Sequence, residues 1–435
     1  IYPMPDATFL IISGAKLELL FFDPKTRKKE GNAMATEYQG GYMGRMLRVD
    51  LSRRALTVEE TDPERAAKYL GGVGLGSAIL YDEVPAGVEP FDPENRLIFM
   101  SGPFSGTAIP GSGTYSVVTR GPLTGLAAGA QANGRFGARL KFAGYDGIIL
   151  QGASSNPVYL LVNNGKAEIR EGSQLAGLDS IETQNLLKKE LGLKNASVAC
   201  IGSAGENRVR FASICSDQGH IASTNGVGGV MGSKNLKAVV VNGDAKIPVA
   251  DPERFSEIAH EWVTETRSSA IGETVDKLGT AGFFSAAAVT GWLPVKNMTT
   301  DLFKDHPRFN GDAIRASVKS TRKQCHACPL HHCNEIEITE GPHEGLITDE
   351  PEYEGLAGFG PLIGNNDPWL AVKLCDQVDR LGMDLKEFTF TIALAMECYE
   401  QGLIDKKDTG GIELTWGNGT AVSDEMSILP IYGGG

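Results

Sequence analysis

The sequence predicts an α+β fold in which a β-rich domain with two sheets is followed by a mainly α-helical domain. Short runs of β-forming residues alternate with Gly, Pro, Asn and Ser turns as far as residue 247, and helical periodicity takes over near Pro248. Glycine is abundant, at 54 of 435 residues, or about 12% against an average near 7%. This abundance is typical of a chain with many sharp turns or close backbone approaches.

The β-rich domain is predicted to span residues 41–247. Its strands are expected at the segments RMLRVDL, LTVEE, RLIFMS, YSVVTR, GIILQG, PVYLLVN, VACIG, VRFASI and KAVVVNG. Two helices are predicted between these strands. One begins at Thr61 in a capping box with Pro63 in its first turn, and the other begins at Asp179 with Glu182 as the capping partner.

The mainly helical domain is predicted to span residues 248–435. Helices are expected after Asp251, after Asp367, and over the segment LKEFTFTIALAMECYEQG, which ends at Gly402. The final segment SDEMSILPIYGGG ends in glycines and is unlike a packed helix. We therefore expect the chain to end inside an unfinished domain.

The first 40 residues differ in character from the rest of the chain. The apolar run Thr8–Phe22 is interrupted by Lys16 and Glu18, has no basic leader and is too short to cross a bilayer. Residues 1–40 are therefore expected to be a foreign or disordered leader, with Met34 as a plausible true start.

Composition excludes several classes of function. The 41 basic and 54 acidic residues give a net charge of -13, which argues against a nucleic-acid interface. Seven cysteines in a long chain without a clear secretory signal make a disulfide framework improbable. We expect a cytoplasmic, reduced protein without a membrane partner.

The segment CHACPLHHC indicates a metal site. Cys325, Cys328 and Cys333, here called the cysteine triad, have the spacing C-x2-C-x4-C, which aims three sulfurs at one point. This arrangement suits an iron–sulfur cluster or a tetrahedral zinc ion. The three interspersed histidines would serve zinc, whereas a cluster normally needs a fourth thiolate. Cys375 and Cys398 lie on predicted helices and are interpreted as small buried hydrophobic residues.

Two glycine-rich segments are candidate ligand loops. Thr224–Asn235 could bring backbone N–H groups against an anion, with Lys234 supplying charge, or could be a tight turn. The segment GGVGLG, Gly71–Gly76, lies within a helical pattern and does not follow a strand, so the context of a dinucleotide-binding fingerprint is missing.

Carboxylates in two further segments could serve chemistry. Asp379 and Asp384 flank Gly382 and could accept hydrogen bonds from a heterocycle rich in N–H groups, although a helix C-cap followed by an N-cap explains the same residues. In EPEYE, Glu354 could be a general base if it is desolvated near a metal. The ordinary alternative is a solvated acidic turn.

Several segments together resemble one known family. GYMGRMLRVDLS, GPLTG, FGARLKFAGYDGIIL, IGSAGENRVRFASI, VGGVMGSKNLKAVVV, PVKN, CHACPLHHC, EPEYEG, DRLGMD and LTWGN occur in this order over about residues 41–419. In this order they resemble the N-terminal two thirds of tungsten-containing aldehyde:ferredoxin oxidoreductases. The resemblance implies a β-rich base for two pterin dithiolenes that hold tungsten or molybdenum, with helical domains closing over it.

The resemblance also implies an activity and partners. The expected reaction is oxidation of an aldehyde by water to a carboxylic acid, with electrons passing through a 4Fe–4S cluster to ferredoxin. A magnesium ion would bridge the pterin phosphates. A homodimer is left open.

Carried over residue by residue, the resemblance assigns roles to ten positions. The cysteine triad matches three closely spaced cysteines that bind the iron–sulfur cluster in the family. Four residues separate the last two cysteines here, where the family usually has three. The segment DRLGMD matches the first pterin-binding motif. It gives Asp379, Gly382 and Asp384 as cofactor-binding residues.

The remaining positions lie elsewhere in the chain. Glu354 matches a carboxylate beside the metal, a candidate proton acceptor. Gln131 and the pair Asn225 and Gly226 match backbone segments near the pterins and the magnesium ion. Thr114 and His220 stand where the family has arginines.

The chain also departs from the family after residue 419. The part that would supply the fourth cluster cysteine, a second pterin motif and a catalytic histidine is absent, so a fragment is expected. Two alternatives stay open: a relative that reduces an aromatic acyl-CoA, and a non-catalytic scaffold in which the cysteine segment binds zinc.

Overall fold

Two mixed six-stranded sheets in the first half are followed by a largely helical region with a small third sheet. The structure, a computed structural model, describes residues 40–423. The predicted α+β class is confirmed. The predicted leader falls almost wholly outside the described residues, as do the last twelve positions, 424–435.

The first half contains short elements. They are β1 (Arg45–Asp50), β2 (Ala55–Glu60), α1 (Pro63–Tyr69), α2 (Gly72–Glu83), β3 (Leu97–Met100), β4 (Tyr115–Arg120), β5 (Ala127–Ala132), α3 (Phe136–Phe142), β6 (Gly147–Gln151), β7 (Val158–Asn163), β8 (Lys166–Glu171), α4 (Ser180–Leu191), β9 (Ser197–Cys200), α5 (Ser203–Glu206), β10 (Ile214–Ser216), β11 (His220–Ala222), α6 (Val227–Ser233) and β12 (Leu236–Asn242).

The second half is mainly helical. Its elements are α7 (Pro252–Ser268), α8 (Ala270–Leu278), α9 (Phe284–Val289), α10 (His306–Phe309), α11 (Gly311–Ala316), β13 (Val318–Arg322), β14 (Asn334–Ile338), β15 (Ile347–Asp349), α12 (Tyr353–Phe359), α13 (Pro368–Leu381) and α14 (Leu385–Glu400).

The two large sheets have similar organisation. The first has the strand order β2-β1-β6-β3-β4-β5 and the second has the order β11-β10-β9-β12-β7-β8. Each contains one parallel pair, β1 with β6 and β12 with β7, among antiparallel neighbours. The third sheet, β13-β14-β15, is antiparallel.

One hydrophobic cluster contains side chains of both large sheets, so these sheets pack face to face. Phe99, Ile148 and Val239 are among its fully buried members. The outer faces are covered by helices, since α2 packs on the first sheet and α4 on the second. The central strands are therefore buried on both faces, which explains their nearly continuous apolar sequences.

The helical prediction for the first half was incomplete. The helix expected from Thr61 is two helices, α1 and α2, separated at Leu70, and Asp62 is its N-cap, not Thr61. The capping box at Asp179 is confirmed. The short helices α3, α5 and α6 were missed because they are buried or glycine-rich and have no clear apolar face. The strand predicted at VRFASI is mostly a turn, since β10 begins only at Ile214.

Most of the glycine-rich segment forms helix α6, and its predicted approach to an anion stays a prediction. A Cβ atom on Gly232 would lie 1.8 Å from the carbonyl oxygen of Gly205, and one on Gly228 would lie 2.2 Å from that of Ser213. Glycine is therefore required for close packing of α6 on α5. Lys234 is fully buried, and its ammonium group donates to three main-chain carbonyls. Burial, with a smaller contribution from Arg96, lowers the pKa of Lys234 to about 7.

The two halves belong to one compact unit, so the domain division near residue 247 stays a prediction. Across residues 40–423 no helix combines the length and apolar character that crossing a membrane would need.

Gly232→Ala tests the packing of α6. The new methyl group meets rigid backbone of α5, so we expect a loss of stability of about 1–3 kcal/mol or more, measured by thermal unfolding. Gly102→Ala is the matched control, because its Cβ atom would find only Ser105 Oγ, at 4.0 Å. Equal melting temperatures for the two variants would contradict the packing role.

Candidate functional site

A cavity of about 470 Å³ lies where the sheets of the first half meet helices α12, α13 and α14. Five residues predicted from the sequence to form a site line it: Gln131, Cys333, Glu354, Asp379 and Asp384. These residues come from positions far apart in the chain. The fold therefore brings five of the ten predicted site residues to one cavity.

The turn between α13 and α14 joins the two halves. Gly382 ends α13 in the left-handed conformation, with φ of 75°, and its carbonyl accepts a 2.8 Å hydrogen bond from the Ser213 N–H. Met383 pairs with Ala212 in an isolated β-bridge. Asp384 caps α14, because its carboxylate accepts hydrogen bonds from the main-chain N–H groups of Lys386 and Glu387, at 2.9 and 3.3 Å. Gly382 and Asp384 thus have structural roles, whatever they bind.

Asp379 differs from its two partners in the motif. It lies in the last turn of α13 and lines the cavity, and no described residue donates a hydrogen bond to its carboxylate. Burial raises the pKa of Asp379 well above its usual range, and Asp349 and Asp376 add to the effect. The side chain is partly buried, so a donor from a ligand in the cavity would complete its hydrogen bonding. It fits a ligand that carries N–H groups.

The cysteine triad lies in a hairpin loop, residues 323–333, here called the cysteine loop, which connects β13 to β14. Its ends are held together by a hydrogen bond of 3.2 Å from Lys323 N–H to the Cys333 carbonyl. Its tip docks on the first half, where His326 N–H donates to the Gly134 carbonyl at 2.9 Å. Cys325 is buried, and Cys328 and Cys333 are half-buried.

Several metal-ligating groups surround the sulfurs. Cys325 Sγ lies 3.6 Å from His220 Nε2. Ligand atoms of His332, Cys333 and Glu352 all lie within 4.8 Å of one another. This second arrangement could hold a single zinc ion, so the geometry keeps the zinc alternative open.

The thiols need a cation if they are to ionise. Burial raises the pKa of Cys325 to about 11, and it also raises the pKa values of Cys328 and Cys333. The carboxylate of Glu352 acts in the same direction on Cys333. Because metals bind thiolates, a cation or cluster is the group that this donor set fits.

The three histidines of the segment have different surroundings. The His326 ring packs edge-on against Phe142 at 5.6 Å between centroids, and His331 Nδ1 lies 3.1 Å from an oxygen of Asp276. Only His332 lines the cavity among the three.

Glu354 lines the cavity but is partly open to solvent. Its side chain is 49% exposed, and Oε1 lies 3.5 Å from Lys386 Nζ. Its role as a general base stays a prediction. Gln131 lies at the end of β5 and donates to Ser116 Oγ at 3.3 Å.

Asn225 and Gly226 lie outside the lining of the cavity. Both have positive φ, 63° and 75°, in a short turn before α6. A Cβ atom on Gly226 would lie 2.0 Å from the Arg210 carbonyl oxygen, and one on Gly121 would meet Asn225. Their predicted contact with a cofactor stays a prediction.

Sequence reasoning missed two residues of the site. His220 is the neighbour of Cys325 described above, and it is the first residue of β11, 105 positions away. Cys375 is buried, as interpreted, but it also lines the cavity. Its spacing of four from Asp379 on α13 was a signal that both share a helix face.

Cationic groups are scarce at the cavity. Among the described residues that line it, Lys386 is the only lysine or arginine, against seven carboxylates: Asp349, Glu350, Glu352, Glu354, Asp376, Asp379 and Asp384. Arg135 lies outside this lining, and its guanidinium group donates to the Gln324 carbonyl. The sulfur donors and Asp379 thus fit the implied cofactors, whereas no arginine in this lining fits their phosphates.

Comparison with known protein families gives two matches. The family model described as "Aldehyde ferredoxin oxidoreductase, N-terminal domain" matches residues 46–243. The model described as "Aldehyde ferredoxin oxidoreductase, domains 2 & 3" matches residues 257–427. Together these two models cover most of the chain.

Similar proteins are named for different substrates. A tungsten-containing aldehyde ferredoxin oxidoreductase of Pyrococcus horikoshii is 41% identical over 372 residues, 85% of this chain and 61% of that protein. The WOR-like subunit of an aliphatic sulfonate oxidoreductase of Pyrococcus furiosus is 33% identical, over 89% of this chain and 64% of that protein. The chain thus spans less than two thirds of the length of these relatives.

A solved structure is also similar. The active-site complex BamBC of benzoyl coenzyme A reductase with 1,5-dienoyl-CoA matches with a TM-score of 0.80 and 31% identity. The match covers 91% of this chain and 61% of that chain.

Asp379→Asn tests whether the Asp379 carboxylate lacks a hydrogen-bond donor in metal-free protein. A raised pKa means that the folded chain holds this proton to higher pH than the unfolded chain, whose Asp titrates near about 3.9. Wild-type stability therefore falls as the pH rises above this value, and Asn removes the loss. We expect Asp379→Asn to melt higher than wild type at neutral pH and to match it near pH 4.

Asp312→Asn is the control for this experiment. Asp312 is exposed, and a hydrogen bond from Asn310 lowers its pKa, so its replacement is expected to lower the melting temperature slightly at neutral pH. A lower melting temperature for Asp379→Asn at neutral pH would contradict an unpartnered carboxylate.

Proposed function

Because this chain belongs to the aldehyde ferredoxin oxidoreductase family, we propose that it serves the oxidation of an aldehyde by water to a carboxylic acid, with ferredoxin as the electron acceptor. The observation that carries the proposal is the convergence of Cys333, Glu354 and Asp379 on one cavity at the junction of the two halves. The balanced reaction releases two protons and two electrons for each aldehyde oxidised to the acid.

The cysteine triad would hold a 4Fe–4S cluster, and Asp379 would accept hydrogen bonds from a pterin. A tungsten or molybdenum pterin bound here would supply two-electron redox chemistry, and a cluster held by the triad would supply single-electron transfer. The hairpin geometry of the cysteine loop supports the first assignment, since both ends of the loop are fixed and its tip docks on the first half. The unpartnered carboxylate supports the second.

Glu354 would take up a proton at a carboxylate oxygen as water adds to the carbonyl carbon. Its position on the cavity wall supports this role. Lys386, 3.5 Å away, would orient the carboxylate. The partial exposure of Glu354 gives the proton a route to solvent.

The other assigned residues would contribute backbone or support. Gln131 lies at the cavity wall, and Gly382 and Asp384 would shape the turn on which the heterocycle rests. Asn225 and Gly226 would offer backbone groups near the pterin phosphates and the bridging magnesium ion.

Two other functions have an observation in their favour. Similarity to the benzoyl coenzyme A reductase complex supports reduction of an aromatic acyl-CoA. The close approach of His332, Cys333 and Glu352 supports a zinc-binding scaffold. Metal content separates the scaffold from both redox functions.

Metal analysis tests the cluster assignment. Protein purified without oxygen is expected to contain iron and acid-labile sulfide, and replacing any member of the cysteine triad by Ser is expected to remove most of both. Cys398→Ser, on α14 away from the cavity lining, is the matched control and is expected to keep them. Stoichiometric zinc in place of iron would support the scaffold and reject both redox functions.

Glu354→Gln tests the proton acceptor. We expect aldehyde-dependent dye reduction to fall about 10²–10⁴-fold, the usual contribution of a general base, with iron and tungsten content unchanged. Glu344→Gln, an exposed residue outside the cavity lining, is the control. Unaltered kcat in Glu354→Gln would exclude the role, and activity on an aromatic acyl-CoA in place of aldehydes would favour the reductase.

A further inference from the structure

Three arginines donate hydrogen bonds to the main chain of the cysteine loop. Arg135 Nε and Nη2 reach the Gln324 carbonyl at 3.3 and 3.2 Å. Arg267 Nε reaches the Pro329 carbonyl at 3.3 Å. The third guanidinium group, that of Arg315, reaches the loop through Nη2.

The accepting carbonyls form a pattern. Gln324 comes directly before Cys325, Pro329 comes directly after Cys328, and the carbonyl that accepts from Arg315 at 3.2 Å belongs to the residue directly before Cys333. Each member of the cysteine triad therefore has one arginine bonded to an adjacent residue.

The three arginines come from separate parts of the fold. Arg135 precedes α3 in the first half, Arg267 lies in the last turn of α7, and Arg315 lies in α11. Arg315 is also held by a bidentate pair with Glu350, at 2.7 Å to each oxygen. The three arginines reach the cysteine loop through the tertiary fold, since none of them is a near neighbour of the triad in the chain.

We propose that Arg135, Arg267 and Arg315 are positioning residues that fix the main chain beside each cysteine and set the charge around the metal group bound there. The proposal rests on the proposed cluster. Guanidinium donors suit this role because they remain charged and form directed hydrogen bonds.

The charge has a predictable consequence. Reduction adds an electron to the cluster, and net charge is one of the properties that set its reduction potential. One of the sulfurs faces a carboxylate, with Glu352 Oε1 at 3.7 Å from Cys333 Sγ. Positive charge on the loop side therefore favours the reduced state, and its removal makes the potential more negative.

The first test uses metal-free protein and does not depend on the cluster. Arg267→Gln is expected to loosen the loop at Pro329, so alkylation of Cys328 should become severalfold faster, as followed by mass spectrometry. Arg254→Gln is the matched control, because Arg254 lies on the same helix and pairs only with Glu257 among the described residues. Equal alkylation rates in both variants would overturn the positioning role.

The second test uses the loaded protein and an electron paramagnetic resonance titration. In Arg135→Gln and Arg267→Gln we expect midpoint potentials below that of wild type, and the Lys variants should recover most of the shift because they keep the charge. A tenfold change in the reduced-to-oxidised ratio at fixed potential corresponds to about 59 mV for one electron. Unchanged potentials in both Gln variants would overturn the electrostatic role.

The two failures are distinguishable. If wild-type protein holds no iron–sulfur cluster, the proposed function fails, and the alkylation experiment still decides whether the arginines position the loop. If the cluster is present but the Gln variants match wild type in both tests, only the inference about the arginines fails. Circular dichroism of each variant separates either result from loss of folding.

Discussion

The backbone junction between the β10 region and the turn after α13 fixes the relation of the two halves. Met383 pairs with Ala212, and the Asp384 N–H donates to the Phe211 carbonyl at 2.8 Å. Glycine is needed on both sides of this junction, because a Cβ atom on Gly202 would lie 2.3 Å from the Leu381 carbonyl oxygen and one on Gly382 would lie 2.8 Å from the Gly202 nitrogen. The cavity lies beside this contact, so its walls depend on it.

A second junction closes the cavity on the side of the cysteine loop. Lys323 bonds to Asp349 and to Gln218 of the β10–β11 turn, and Gly219 approaches Asp349 so closely that no side chain fits there. The carboxylates and thiols at this place carry negative charge when they ionise, with little cationic compensation in the cavity lining. Electrostatics therefore favours a cation or a donor-rich ligand as the occupant.

Local pattern was enough to predict much of the fold. Strand β3 is a continuous apolar run, β12 contains the apolar run AVVV, and Asp179 and Asp251 cap their helices as predicted. Helix α6 could not be predicted from local pattern, because its glycines are needed for tertiary contact with α5. The small third sheet was missed for a related reason: β13 is largely exposed, and its sequence has no strong β pattern.

The site was predictable only in part. Spacing identified the cysteine triad, and the segment DRLGMD identified the turn that joins the halves. Pattern alone could not separate Asp379, whose carboxylate accepts no hydrogen bond from the described residues, from Asp384, which caps a helix. The approach of His220 to Cys325 depends on how a turn of the first half docks on a hairpin of the second. Distances of this kind are set by packing and leave no local signal in the sequence.

Anomalous diffraction from crystals grown without oxygen would show whether the junction cavity and the cysteine loop form one redox site. We expect iron density among Cys325, Cys328 and Cys333 and a tungsten or molybdenum peak in the cavity beside Asp379. A single zinc peak between His332, Cys333 and Glu352, with neither iron nor tungsten nor molybdenum, would contradict this expectation.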